Sequence, residues 1–198
     1  MRFPALALLV LSLSLAASSV FAGDLKESDD GFQHRGPSLR VGALVPITDG
    51  YADSEPGILL ELGYWAEFAD VVVEPRVGIR FDVQPEHGNY VELPFDLGLQ
   101  YLMTQSDFAP FVGGGIGAHW FYEYLREDIV LGEVIQSTSV YEESDHQWGF
   151  VAFGRAGLAF FRTRAVRLVL SAEFSAAFVE LNDRSNPYSM NFGIAFVL

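Results

Sequence analysis

The sequence predicts an all-β fold: an eight-stranded, antiparallel, up-and-down transmembrane β-barrel. Three observations carry this. From Ser38 to Leu198 the hydrophobic period is two, not 3.6. One face of every candidate strand is free of charge, while the other collects charges and glycines. The connections between strands alternate between short and long.

Composition sets the bounds first. The chain has 198 residues, 50% hydrophobic and 14% aromatic, enough for one domain. Twelve basic residues stand against 26 acidic ones, for a net charge of −14, and Lys26 is the single lysine. Such a chain repels phosphate backbones, which excludes nucleic acid as a partner. The absence of cysteine excludes a disulfide scaffold, thiol chemistry and cysteine metal sites.

The first 22 residues read as an export signal. Arg2 gives a positive start, Leu6 to Leu15 an apolar run, and Val20-Phe21-Ala22 a small-residue exit with cleavage expected after Ala22. The run is short for a retained helix across a ~30 Å hydrocarbon core. Residues 23–37 are polar and acidic and are expected to be a lead-in to a barrel spanning 38–198.

Each strand then follows from its alternation. The first offers Leu39, Val41, Ala43, Val45 and Ile47 on one face; the second Ile58, Leu60, Leu62, Tyr64 and Ala66. The third sets Val71, Val73, Pro75, Val77, Ile79 and Phe81 against Glu74, Arg76, Gly78, Arg80 and Asp82. The fourth sets Val91, Leu93, Phe95, Leu97, Leu99 and Tyr101 against Glu92, Pro94, Asp96, Gly98 and Gln100. The fifth carries Val112 through Tyr124 on even positions, the sixth Trp148 through Phe160, the seventh Val166 through Phe178 and the last Tyr188 through Leu198. None of these 49 positions is charged, where a chain of 19% charged residues would place about nine. Pro75 and Pro94 each remove a ladder donor, and a bulge or strand end is expected at both.

A soluble barrel or sandwich turns its apolar face inward; a membrane barrel inverts this, because lipid surrounds it. Loop lengths and aromatic placement decide between them. Ala69-Asp70, 103–108 and 162–164 are short turns, whereas 48–55, 83–89, 126–146 and 181–187 are longer. Phe81, Trp120, Tyr122, Tyr124, Trp148, Phe150, Phe178 and Tyr188 fall at the loop ends of the charge-free rows; Tyr64, Phe68, Tyr101, Phe160 and Phe196 fall at the turn ends. Two aromatic belts suit the two headgroup regions of a membrane.

The segment Ala109-Pro110-Phe111-Val112-Gly113-Gly114-Gly115-Ile116-Gly117 and the alternating last strand add a resemblance. Over 38–198 the chain resembles the eight-stranded outer-membrane β-barrel family, the OmpA/OmpX-like superfamily of Gram-negative bacteria. The resemblance implies residence in the cell outer membrane, contact with lipid and lipopolysaccharide, and recognition of the last strand by the barrel-assembly machinery. The family usually ends in Phe or Trp; this chain ends in Leu198, with Phe196 two residues earlier. The alternation runs to the final residue, so no peptidoglycan-binding domain is expected after the barrel.

The inward face holds the chemistry. Eight strands leave a lumen about filled by side chains. Buried ions there must pair, so a structural ion network is expected from Arg40, Glu61, Glu74, Arg76, Arg80, Asp96, Glu123, Arg155, Arg167 and Glu173. Arg155 and Arg167 lie on adjacent strands, with Glu173 and Glu123 as their expected partners. Glu67, Asp82, Glu92 and His119 share this face. No catalytic residue, metal ligand or cofactor is assigned. Glu86-His87 and Ser144-Asp145-His146 are the only acid–histidine neighbours, and adjacency in sequence is not catalytic geometry. The segment 126–146 carries one base against six acids, and the acidic outer loops are a candidate binding site for divalent cations or a basic partner. The expectation is a structural or surface-interaction barrel with a closed lumen, not an enzyme. A narrow channel or carrier of small or hydrophobic molecules is the alternative, and a lipid-modifying enzyme at the rim a third.

Overall fold

The structure, a computed structural model, describes residues 33–47, 56–82, 88–129, 139–181, 184–185 and 187–198. The export signal, most of the lead-in, His87 and the tips of the long loops lie outside them. Eight strands close into one antiparallel barrel: β1 (Gln33–Pro46), β2 (Gly57–Phe68), β3 (Val71–Asp82), β4 (Gly88–Leu102), β5 (Phe108–Ile129), β6 (Ser139–Phe160), β7 (Arg167–Phe178) and β10 (Tyr188–Val197). The short pair β8 (Glu180–Leu181) and β9 (Arg184–Ser185) forms a separate two-stranded hairpin between β7 and β10.

The charge-free rows face outward. Leu97, Leu99, Ile116, Trp148 and Phe150 are each about half exposed, while Glu61, Glu74, Glu92, Glu173 and Arg80 on the alternate rows are buried. This is the inversion expected of a barrel whose surroundings are apolar. Rings meet around the loop end in the pairs Phe95–Trp148, Trp120–Tyr122, Phe150–Phe178 and Phe174–Tyr188. At the turn end Phe108 meets Phe160 edge-on, and the Arg35 guanidinium lies over Phe68.

Tracing the pairing once around the sheet gives Arg35, Ala66, Val73, Leu99, Gly114, Gly154, Phe174, Met190 and then Val45, ten residues further along β1. With a rise of ~3.3 Å per residue and a strand spacing of ~4.8 Å, that stagger tilts the strands by about 40° and gives a backbone radius of about 8 Å. Side chains from opposite walls therefore meet in the middle.

Three expectations are corrected. First, β1 begins at Gln33, so 33–37 of the expected lead-in is strand, paired with β2 from Phe68 to Tyr64. Second, neither proline makes a bulge. The β2–β3 register is the same on both sides of Pro75, and the β3–β4 register the same on both sides of Pro94; only two pairings drop out at each site, those of the proline and of the residue beside it. Proline lacks the N–H, so a rung is lost without a shift of the chain. Third, the loop assigned to 126–146 is in part strand. β5 and β6 are 22 residues each and stay paired up to Ile129 and Ser139, above the point where β4 leaves β5 at Leu125.

Candidate functional site

Alternation in the eight strands delivers the inward side chains to the lumen in tiers. Apolar residues close each end: Trp65, Leu102, Phe111 and Val169 toward the turns, and Tyr90, Phe121, Val151 and Val179 toward the loops. Between them lies a lattice of charges.

The largest tier is built from Arg40, Arg76 and Arg80. Arg40 Nη1 donates to Glu61 Oε2 at 2.9 Å and to Glu173 Oε2 at 3.3 Å. Arg76 donates through Nη1 to Glu173 at 2.8 Å and through Nη2 to Asp96 at 3.1 Å. Arg80 places Nε and Nη2 on Glu61 Oε1, at 3.1 and 2.8 Å, and Nη1 on Glu92 at 2.9 Å. β3 and β7 lie on opposite walls, so the Arg76–Glu173 bond spans the lumen. His119 sits at the edge of this tier, its Nδ1 against Glu92 Oε1 and its Nε2 2.8 Å from Asp96 Oδ1. Planar guanidiniums with several donors suit such a network, since each can serve more than one carboxylate.

A second tier centres on Glu74, which accepts from Arg155 at 2.5 Å, Gln100 at 2.7 Å and Ser38 at 3.2 Å. The guanidiniums of Arg76 and Arg155 also lie over the rings of Phe153 and Phe111, at 4.7 and 5.6 Å. The third tier, at the turn end, centres on Glu67, which is bonded by Arg167 and by Arg162 Nε at 2.8 Å. Arg162 also donates to the carbonyls of Thr104 and of Ala69, the latter at 2.7 Å, and so ties three turns together. Ala69 and Phe161 adopt left-handed backbone, with φ of 55° and 59°, in two of these turns.

Of the ten residues expected in the network, eight are joined across the two inner tiers and Arg167 belongs to the turn-end tier. Glu123 is buried nearer the loops, in register with Tyr90 and Asp145. The expected partners of two arginines are corrected. Arg155 stands beside Glu173 in register but reaches Glu74, and Arg167 reaches Glu67. Both partners sit three strands away around the barrel. Arg40–Glu61, Arg76–Asp96 and Arg80–Glu92 pair with their register neighbours, whereas Arg155 and Arg167 reach across the narrow lumen. Glu67, Glu92 and His119, also on the inward rows, join the lattice beyond the ten expected residues, and Arg162 joins it from a turn. At the rim Ser144 and His146 are exposed, with His146 near Trp120, and Asp145 is half-buried in register with Glu123; Glu86 and His87 lie outside the described residues.

No family model and no curated protein matches the chain. Solved structures do. Neisserial surface protein A (NspA) superposes with a TM-score of 0.62 at 11% identity, over 83% of this chain and 95% of that one. The fold is that of the eight-stranded outer-membrane barrels. Ail, the attachment invasion locus protein of Yersinia pestis, in complex with the heparin analogue sucrose octasulfate, superposes on this barrel with a TM-score of 0.50 at 15% identity, over 83% of this chain and 97% of Ail. At these identities the likeness is one of architecture; the ion lattice of this outer-membrane barrel fold is read from its own residues.

Proposed function

We propose that this chain resides in the outer membrane as a closed barrel of structural or surface-interaction type, its lumen held shut by ion pairs. The observation that carries the reading is the Arg76–Glu173 bond between opposite walls, with Arg40, Arg80, Glu61 and Asp96 gathered around it. Apolar clusters on both sides of the lattice support it. So does the apolar exterior, which only lipid can cover around a closed ladder. In this reading the export signal is cleaved after Ala22, and the assembly machinery recognises the last strand.

The surface role follows from charge. The segment 126–146 holds one base against six acids. The Ail structure holds a polyanion, and this loop composition fits the opposite chemistry: a basic partner, or divalent cations bridging to lipopolysaccharide phosphates.

Fractionation with N-terminal sequencing, followed by planar-bilayer recording of the purified barrel, tests the proposal. The expected result is a mature chain beginning at Gly23 in the outer-membrane fraction and no large, persistent conductance. Soluble periplasmic protein would overturn the membrane reading. Steady conductance would overturn the closed lumen in favour of a channel.

A further inference from the structure

We propose that His119 is held as an imidazolium between Glu92 and Asp96, so that one buried proton completes the charge balance of the lumen and locks its loop end. This rests on the closed-lumen reading above and adds to it a titratable component.

The geometry requires the proton. His119 is fully buried, with Nδ1 against Glu92 Oε1 and Nε2 2.8 Å from Asp96 Oδ1. A neutral imidazole donates from one nitrogen only, and its other nitrogen would turn a lone pair toward a carboxylate oxygen. Either the ring carries two protons or one acid is protonated. The other donors decide which. Glu92 also accepts from Arg80 at 2.9 Å and from the Tyr90 hydroxyl at 2.5 Å, and Asp96 accepts from Arg76 at 3.1 Å. Both acids are thus surrounded by donors that favour the carboxylate, and the proton belongs to the ring.

Charge counting gives the same answer. Among the described residues of the two inner tiers, Arg40, Arg76, Arg80 and Arg155 face Glu61, Glu74, Glu92, Asp96 and Glu173, four cations against five anions. An imidazolium at 119 makes the tiers neutral, and a neutral ring leaves one buried negative charge uncompensated. The groups that face His119 come from several strands: Glu92, Asp96 and Tyr90 from β4, Arg80 and Arg76 from β3, with Glu61 on β2 and Glu173 on β7 one bond further away. On β6 its register partner is Gly149, and Glu123 lies four residues along β5 toward the loops.

The local sequence makes room for this contact. A side chain at Gly117 would overlap Asp96 Oδ1 and stand 2.9 Å from His119 Nε2. Toward the loops the Phe121 ring covers the imidazole, 5.9 Å between centroids, with Tyr90 beyond it. Loss of the proton would therefore release the tier at the point where the outer apolar cluster rests on it.

Nitrogen-15 spectra of the histidine rings of the mature barrel in lipid nanodiscs at pH 7.5 test this, with His119 assigned through its contact with Phe121. A free imidazole of ordinary pKa is about nine-tenths neutral at that pH. The expected result is a His119 ring protonated on both nitrogens. A single N–H on His119 would overturn the proposal, and the wild-type spectrum decides this alone. In Glu92→Gln, with one carboxylate gone, the doubly protonated signal should disappear at pH 7.5; its persistence would also count against the proposal. Bilayer recording of the same sample keeps the two readings apart. A silent barrel with a neutral ring overturns the proton and leaves the closed lumen standing, and a conducting barrel with an imidazolium does the reverse.

Discussion

Glu173→Gln keeps the side chain's shape and deletes its charge at the most connected point of the lumen. Glu173 Oε2 takes Arg76 at 2.8 Å and Arg40 at 3.3 Å, while Oε1 lies 3.4 Å from both Arg80 Nη2 and Asn191 Nδ2. Glutamine offers one acceptor oxygen, so its amide must face guanidinium donors on one side. One short charge-assisted bond contributes about 1.5–3 kcal/mol. The surplus buried cation raises the total to the roughly 3–5 kcal/mol typical of a broken buried ion pair. Reversible urea unfolding in lipid vesicles, followed by the fluorescence of Trp65, Trp120 and Trp148, measures it. Adding Arg40→Met to Glu173→Gln removes the surplus cation and should recover part of the loss, with a coupling of about 0.5–3 kcal/mol. A cost below about 1 kcal/mol for the single variant would refute the reasoning, because it would mean that water screens these charges and the lattice is not dry.

Leu97→Arg places a charge on the outward face at a half-exposed mid-strand site, and should cost about 2–4 kcal/mol in vesicles; a negligible cost would reverse the assignment of faces. Gly117→Ala should cost about 1–3 kcal/mol through overpacking against Asp96 and His119. Gly154→Ala, where an added Cβ meets nothing within 4 Å, should stay within about 0.5 kcal/mol, so equal effects of the two would contradict the packing. In the exposed turn, the Thr163 hydroxyl and its backbone N–H at 3.1 Å donate to Asp107, with Arg164 nearby, and hold that carboxyl below its ordinary value of 3.8. An acid whose folded pKa is depressed contributes above the unfolded value and loses that contribution as pH falls through the folded one. Thr163→Val should move the Asp107 midpoint in a carboxyl NMR titration up toward 3.8.

The strands and their faces were legible because a period of two, once set, fixes the direction of every side chain along a strand. Val91 to Tyr101 face out and Glu92 to Gln100 face in as alternation requires. The membership of the lumen followed from the same rule. Its cross-lumen pairings did not: register identifies neighbours such as Arg40–Glu61, Arg76–Asp96 and Arg80–Glu92, whereas Arg76–Glu173, Arg155–Glu74 and Arg167–Glu67 cross the sheet. Those contacts depend on the stagger, which sets which tiers stand level. Arg162 was illegible for another reason: it lies two residues past the end of β6, and the turn's left-handed step at Phe161 returns it beneath the barrel. The inward position of His119 was legible, and its place in the network was within reach of the same reading, since it stands between acids on the neighbouring strand.

The two prolines give β3 an unusual place in the wall. Pro75 interrupts its pairing with β2, and Pro94 interrupts its pairing with β4, so this stave lacks a rung on each side. In a hydrocarbon medium that is where a barrel is easiest to pry apart, and where amide exchange would first report opening. The same strand supplies Glu74, Arg76 and Arg80, each tied to another strand of the wall. The lattice thus acts as a set of spokes. It fastens from the hub a stave whose backbone ladder is interrupted on both sides, and it couples the seam's resistance to opening to the ionisation of the groups within.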